Sequence, residues 1–389
     1  MNNLKQARAL AVQSCGVTAD KLLAHTSSFK VLAVFQRSVY LQACVPAPSP
    51  GISTTSSCFQ PDIICLVDPA LGNGPLHCCV AGFAGINRIH LKVGARLFNN
   101  RASRVLRLGA DTELHYRHRL VPELRLQIPV CKSLAAGLPD IRSSSLQSLR
   151  PAMIAANNAN HENSLWVATL DWLSATLSDD GARSYDVANT SLYQQGCTDW
   201  SGLLAGCQVD IHRLTNSTID SRRFDGIVAM LGRGGGLTPS GDDFICGVIA
   251  SFYLTGNASQ LQPLRSVLLA NLLVRTHVIS AAHLHEACDG LANDASMAVV
   301  VALIDLLTTQ QNNPATLADA CSAMGASSGW DFLAGLVAAL YLRLSRTDSS
   351  RIDSSRTDSL MDCDNSELQF PSSLAVGGKK TGESAHLVV

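Results

Sequence analysis

The run Leu231-Gly232-Arg233-Gly234-Gly235-Gly236-Leu237-Thr238-Pro239-Ser240-Gly241-Asp242-Asp243-Phe244 gathers residue types that could hold a small polar ligand at the start of a helix. Glycine fills four of the five positions from 232 to 236, which lets a ligand approach the backbone with no Cβ in the way. Pro239 stiffens the approach, and Ser240 suits the N-cap of the helix that follows. Unpaired N–H groups at such a terminus favour an anion, and Arg233 adds positive charge. Arg233, Gly234, Gly235, Gly236, Thr238, Ser240 and Gly241 are therefore candidate anion- or substrate-binding residues. Asp242 and Asp243 suit the helix dipole but would repel a bare phosphate. A divalent cation such as Mg2+ between carboxylate and phosphate would reconcile the two. So would a substrate whose amide N–H groups donate to Asp242 or Asp243. No Gly-Lys-Ser/Thr follows, so this is not a Walker loop. The plain structural alternative is a flexible loop and a capped helix, with the Asp pair answering the dipole.

The same helix start recurs. Ser240-Gly241-Asp242-Asp243-Phe244-Ile245-Cys246-Gly247-Val248-Ile249-Ala250 aligns without a gap on Ser328-Gly329-Trp330-Asp331-Phe332-Leu333-Ala334-Gly335-Leu336-Val337-Ala338. Ser, Gly, the second Asp, Phe, the second Gly and Ala are identical. A mid-helix glycine costs roughly 1 kcal/mol against alanine, so its use at both 247 and 335 implies tight helix contact. The pattern predicts two pseudo-symmetric helices crossing at these glycines, with their N-termini offering Asp243 and Asp331 to one ligand. Asp242, Asp243 and Asp331 are the candidate catalytic residues, with Ser328 and Gly329 joining the binding set. Duplication that preserves packing alone is the competing reading.

Between the two starts, Thr276, Ser280, His283 and Ala287 fall on one face of an expected helix. Thr276, Ser280 and His283 are thus candidates to line a pocket, although a lone histidine is more often a satisfied core group. His285-Glu286 is not the start of H-E-x-x-H, so no zinc-protease site is expected, and no metal is assigned.

These residues need elements to position them. Short apolar runs separated by Gly, Pro, Asn and Ser recur at 31–35, 38–44, 63–67, 76–81, 89–93, 105–108 and 123–128. They predict an antiparallel sheet or small barrel. The segment before Phe29 is expected to pack on it as a helix. Helical spacing then takes over, at 165–177, 244–254, 264–283, 297–308 and 332–344. Residues 179–221 read as long connections. The expected class is α+β, with an antiparallel β-rich, barrel-like domain at 1–135 and a mostly α-helical domain at 136–344. Residues 345–389, built on repeats such as Arg-Thr-Asp-Ser-Ser, bury almost nothing and read as a disordered tail.

Composition narrows the function. The 389 residues are 47% hydrophobic, ample for a core and for two domains. A formal net charge of −1 supplies no general field for phosphate backbones, so nucleic acid is not an expected partner. The 13 cysteines form no C-x-x-C pair and lie mostly in apolar runs, which fits reduced thiols in a cytoplasmic protein. The N-terminus does not read as a signal peptide, and the longest apolar stretches are too short to span a bilayer.

At the residues singled out above, the chain resembles the AllH-type family of oxamate carbamoyltransferase subunits, formerly catalogued as a domain of unknown function. The resemblance rests on Gly-Leu-Thr-Pro-Ser-Gly-Asp-Asp-Phe, on Thr276 to Ser280, Leu284, Ala287 and Gly290, and on Gly325-Ala326-Ser327-Ser328-Gly329-Trp330-Asp331-Phe332. It is specific over 225–342 and looser over 30–130. The family's usual Gly-Pro-Gly is Gly234-Gly235-Gly236 here, and its common His is Ala326. The resemblance implies carbamoyl transfer between oxalurate and phosphate, giving oxamate and carbamoyl phosphate, in the breakdown of allantoin and purine nitrogen. It also implies other carbamoyltransferase subunits as partners, with a small ureido or carboxylate substrate and phosphate as ligands. Two alternatives stand beside it: a non-catalytic scaffold or binding subunit of such a complex, and a stand-alone phosphate-dependent enzyme.

Overall fold

A computed structural model describes residues 8–44, 61–83, 86, 91–116, 169, 198–215, 224–308, 314–325 and 327–352. Eight strands close into a barrel: β1 (Arg8–Cys15), β2 (Ser28–Val34), β3 (Ser38–Ala43), β4 (Ile63–Val67), β5 (His77–Ala81), β6 (Arg96–Asn100), β7 (Val105–Arg107) and β8 (Thr112–His115). Their order around the barrel is β1-β5-β4-β3-β2-β6-β7-β8. The pairs are antiparallel except β1 with β8 and β4 with β5, which run parallel. A helical layer follows, so the chain is α+β, barrel first and helices second, as the periodicities predict.

The barrel interior is filled by inward residues such as Phe29, Val31, Val39, Leu41, Ile64, Leu66 and Val80. β6 alternates buried and exposed positions, as a wall facing water must. β4 does not alternate: all five of its residues are buried. Ile64 and Leu66 turn into the barrel, while Ile63 packs outward with Leu76, Ile279 and Ala282. Its unbroken apolar run therefore reports burial on both faces, with helices covering the β3–β4–β5 wall.

Two elements correct the sequence expectation near the N-terminus. Residues 8–15 form a strand that closes the barrel, and only Val17–His25 is helical (α1). The alanines of 8–15 favour helix locally, but pairing on both sides with β5 and β8 overrides that preference. β6 and β8 are too short and too polar to stand out by pattern. The run expected at 89–93 forms no strand where it is described, and the runs at 123–128 and 165–177 lie outside the described residues apart from Thr169.

The helical layer comprises α2 (Thr198–Thr215), α3 (Asp225–Met230), α4 (Ser240–Leu254), α5 (Gln262–Arg275), α6 (Val278–Cys288), α7 (Asp294–Thr308), α8 (Pro314–Met324) and α9 (Ser328–Ile352). α2 lies where long connections were expected; Leu204, Cys207, Ile211 and Leu214 give it an apolar stripe in the helical core. The single run expected at 264–283 is two helices, because Thr276 (φ −133°, ψ 172°) and His277 (φ −68°, ψ 147°) are extended. α9 continues eight residues beyond Leu344, to Ile352. The described residues up to Thr347 form one compact unit. The boundary expected near 135 and the tail beyond 352 lie outside the described residues.

Candidate functional site

The repeated helix starts meet by packing. A Cβ on Gly247 would lie 2.0 Å from the Phe332 carbonyl oxygen, and one on Gly335 would lie 1.9 Å from that of Phe244. α4 and α9 therefore cross at their glycines, backbone against backbone, as the internal repeat predicts. The glycines that follow the two serines are equivalent as well. A Cβ on Gly241 would meet the Met230 carbonyl at 2.0 Å, and one on Gly329 that of Cys321 at 2.1 Å. Both are packing positions against the preceding helix.

The crossing joins the polar groups of one start to those of the other. Ser328 and Thr238 hydrogen bond to the Asp243 carboxylate, and Ser240 and Ser327 to that of Asp331. Thr238 Oγ1 and Ser328 Oγ are also 3.0 Å apart. Each aspartate thus takes a bond from the serine of the opposite start. This changes the role expected of Ser240: Pro239 occupies the N-cap position, and no side chain caps α4.

The two carboxyls are deeply buried, Asp243 at 6% exposure and Asp331 at 1%, and the Oδ2 of each has no hydrogen-bond partner. Burial raises the Asp243 pKa well above the carboxylate range, and the Asp331 charge pushes the same way. Burial raises Asp331 to about 6. Asp242, one residue away, has the opposite fate. It accepts from the Gly232 N–H at 2.8 Å, from Ser280 Oγ at 2.6 Å and from Thr276 Oγ1. Those bonds pull its pKa down against the larger effect of burial, which raises it. Asp242, Thr276 and Ser280 therefore pin the glycine loop to the α5–α6 junction. Thr276 reaches this cluster from extended backbone, not from the helical face expected of it. Gly232 fits the junction because its φ is 73° and a Cβ would meet the Arg275 carbonyl at 1.9 Å.

Some of the amides at this helix start are answered from within. The Gly241 N–H donates to the Arg233 carbonyl at 2.8 Å, and those of Asp242 and Asp243 to Pro239 at 2.9 and 3.1 Å. Gly234, Gly235 and Gly236 are exposed, as is Arg233. The repulsion that a divalent cation would relieve is met otherwise: Asp242 by its three donors, Asp243 by its tendency to hold a proton. Among the described residues no group of three or more His, Cys, Asp or Glu could hold a metal ion.

A cavity of about 220 Å3 lies where α4, α6 and α9 face the barrel wall. Thr238, Asp243, Ser328 and His283 line it; Asp331, whose charge acts on Asp243, is not a lining residue. The barrel supplies Tyr40 from β3 and His77 from β5. α6 adds Glu286, whose two carboxylate oxygens each accept from Thr18 Oγ1 at 3.0 Å. The Tyr40 and His283 rings meet edge to face with centroids 6.4 Å apart. Burial lowers His283 to about 4, helped by His77, which burial also lowers, so both rings are neutral at pH 7. Burial raises Tyr40, keeping its hydroxyl protonated.

Sequence reasoning singled out neither Tyr40 nor His77, and it weighed Glu286 only as part of a zinc motif. The signal available for Tyr40 was period-2 alternation, which turns it outward between the buried Val39 and Leu41. Nothing in a single sequence says that a helical layer covers that outward face.

The family model described as oxamate carbamoyltransferase subunit AllH matches residues 230–340. The match runs from the end of α3 through the α4–α9 crossing and leaves out the barrel. No curated protein and no solved structure matches the chain significantly. No helix among the described residues is long and apolar enough to cross a membrane.

Proposed function

We propose that this chain is a subunit of a cytoplasmic carbamoyltransferase complex of the oxamate type, and that the cavity beside Asp243 is where its substrate is held. One observation carries the reading: the segment similar to a carbamoyltransferase subunit contains both helix starts, and their crossing leaves a buried carboxyl with an unpartnered oxygen on a cavity wall. In the reaction, a phosphate oxygen attacks the ureido carbonyl carbon of oxalurate. The bond from that carbon to the bridging nitrogen breaks, and the nitrogen leaves with a proton as the amide of oxamate, while the carbamoyl group stays on phosphate. Asp243, held toward its protonated form, is placed to supply that proton. Asp331 sustains its pKa, while Thr238 and Ser328 fix its orientation. Partner subunits complete the site.

The test is carbamoyl phosphate formation by the complex reconstituted with Asp243→Asn. General acid catalysis contributes about 10^2- to 10^4-fold, so activity should fall at least 100-fold while the chain keeps its fold and its place in the complex. Full activity in that variant removes the proposal.

A further inference from the structure

His77 reaches the cavity from the outer face of the barrel. Cys78 and Val80 turn into the barrel core, so the alternation of β5 turns His77 toward the helical layer. Its placement is held at several points. The His77 N–H donates to the Gly74 carbonyl at 3.0 Å, and the His77 carbonyl accepts from the Gly16 N–H at 2.8 Å. The ring nitrogen Nδ1 lies 3.1 Å from the Gly72 carbonyl oxygen. A Cβ on Gly74 would sit 3.1 Å from Nδ1 and 3.2 Å from Cε1, so the ring packs its Nδ1 edge against the Gly72–Gly74 loop. A carbonyl oxygen only accepts, so Nδ1 is the donor in that bond. Burial lowers the pKa of the ring, against the Gly72 bond and the Asp294 charge, so the ring holds a single proton at pH 7. That proton is on Nδ1, and Nε2 keeps its lone pair. The loop thereby fixes the tautomer, and Nε2 is an acceptor.

We propose that His77 Nε2 accepts an N–H from the carbamoyl NH2 of the substrate, and so lets this cavity tell a carbamoyl group from an acyl group of the same shape. A methyl matches that NH2 in size but not in hydrogen bonding, and would leave the Nε2 lone pair unanswered. A site that hydrogen bonds a substrate N–H rejects the analogue lacking it far more strongly than an apolar pocket does. Asp243 and His77 line the same cavity and serve different nitrogens. Asp243 gives its proton to the bridging nitrogen as that nitrogen leaves. His77 holds the terminal nitrogen, which stays on the carbamoyl carbon throughout. The inference rests on the carbamoyl reading above for the identity of the substrate, but the tautomer of His77 does not depend on it.

The experiment runs the reconstituted complex in reverse, with oxamate as acceptor and either carbamoyl phosphate or acetyl phosphate as donor. The two donors differ by NH2 against CH3. His77→Asn keeps an amide N–H where Nδ1 stands, so the Gly72 bond can persist, but it has no atom at the Nε2 position. The ratio of kcat/KM for carbamoyl phosphate to that for acetyl phosphate should fall at least about tenfold in this variant. Comparing the ratio with that of the parent cancels the different intrinsic reactivity of the donors. A folded variant with the parent's ratio overturns the inference, because His77 would then only tie down the loop. The parent complex gives a second reading that needs no variant. Phosphonoacetamide should inhibit it at least about tenfold more strongly than acetonylphosphonate, its methyl ketone counterpart. Equal inhibition by the two also overturns the inference. Either failure in a complex that transfers carbamoyl groups sinks the inference alone. Preferential binding of phosphonoacetamide, lost in His77→Asn, by a complex that transfers no carbamoyl group sinks the functional reading alone.

Discussion

Asp242 and Asp243 are neighbours in sequence, yet the helix turns about 100° between them and gives them different work. Asp242 meets the α5–α6 junction and accepts three bonds. Asp243 meets α9 and shares a buried environment with Asp331, where two full charges would repel and both would lack water. Keeping these carboxyls buried costs stability whenever they ionise. Asp331 shows the cost most simply, because burial moves it from 3.8 to about 6. The folded chain therefore keeps this proton where the unfolded chain has already released it. Stability falls as pH rises from about 4 through about 6, and the loss is complete above the folded pKa. At 1.36 kcal/mol per unit, the shift corresponds to about 3 kcal/mol. His77 and His283, whose pKa values are lowered, slope the other way, so the comparison must be between variant and parent. Asp331→Asn cannot titrate but still accepts from Ser240 and Ser327. Its stability relative to the parent, read from urea unfolding, should improve by up to about 3 kcal/mol between pH 4 and pH 7. A difference that stays flat across that range would mean that Asp331 titrates as it does in water.

At the scale of elements, the α4–α9 crossing brings the two carboxyls together, and its glycines set how closely the helices approach. Two effects compete in a Gly→Ala change here. Mid-helix alanine gains about 1 kcal/mol of propensity. Against that, the new Cβ at 247 would sit 2.0 Å from the Phe332 oxygen and 2.7 Å from the Leu336 nitrogen, which are rigid backbone atoms. Overpacking costs about 1–3 kcal/mol where neighbours can give, and more where they cannot. Sterics should therefore win, and Gly247→Ala and Gly335→Ala should each lose at least about 2 kcal/mol in urea denaturation. Because either change opens the same crossing, the double variant should lose less than the sum of the two. Alanine variants as stable as the parent would show that the helices do not touch there. This crossing was legible in the sequence because packing and polar residues repeat together at one spacing. The exchange of bonds between starts was not legible: the same serines fit an N-cap equally well, and only the crossing turns Ser240 toward Asp331 and Ser328 toward Asp243.

Across the whole molecule, the barrel and the helical layer each show a periodicity of their own, so their order along the chain could be read in advance. The seam between them could not, because it is built from residues that look like something else. Gly72-Asn73-Gly74-Pro75 reads as turn punctuation, yet it docks on the start of α7: a Cβ on Gly72 would meet the Asp294 Cβ at 2.7 Å, and one on Gly74 the Asn293 Cβ at 2.9 Å. Asn73 donates to Asp294 Oδ2 through its backbone N–H at 2.6 Å and through Nδ2 at 3.1 Å, and Asp294 N–H returns a bond to the Asn73 carbonyl at 2.8 Å. The cavity takes Tyr40 and His77 from one side of this seam and Asp243 and Glu286 from the other, so its shape depends on the seam holding. Asp294→Ala leaves the Asn73 donors unanswered in a partly buried place and should destabilise the chain by about 1–3 kcal/mol. Asp289→Ala is the matched control, since it removes a carboxylate whose 2.7 Å pair with Arg265 is largely exposed. Such pairs contribute about 0–1 kcal/mol. Amide hydrogen exchange should separate the two variants further. Loss of Asp294 should speed exchange in His77–Ala81, the strand that follows the docked loop, and loss of Asp289 should leave that strand protected. Equal effects of the two substitutions, in stability and in exchange, would mean that the Asn73–Asp294 bonds do not hold the barrel to the helices.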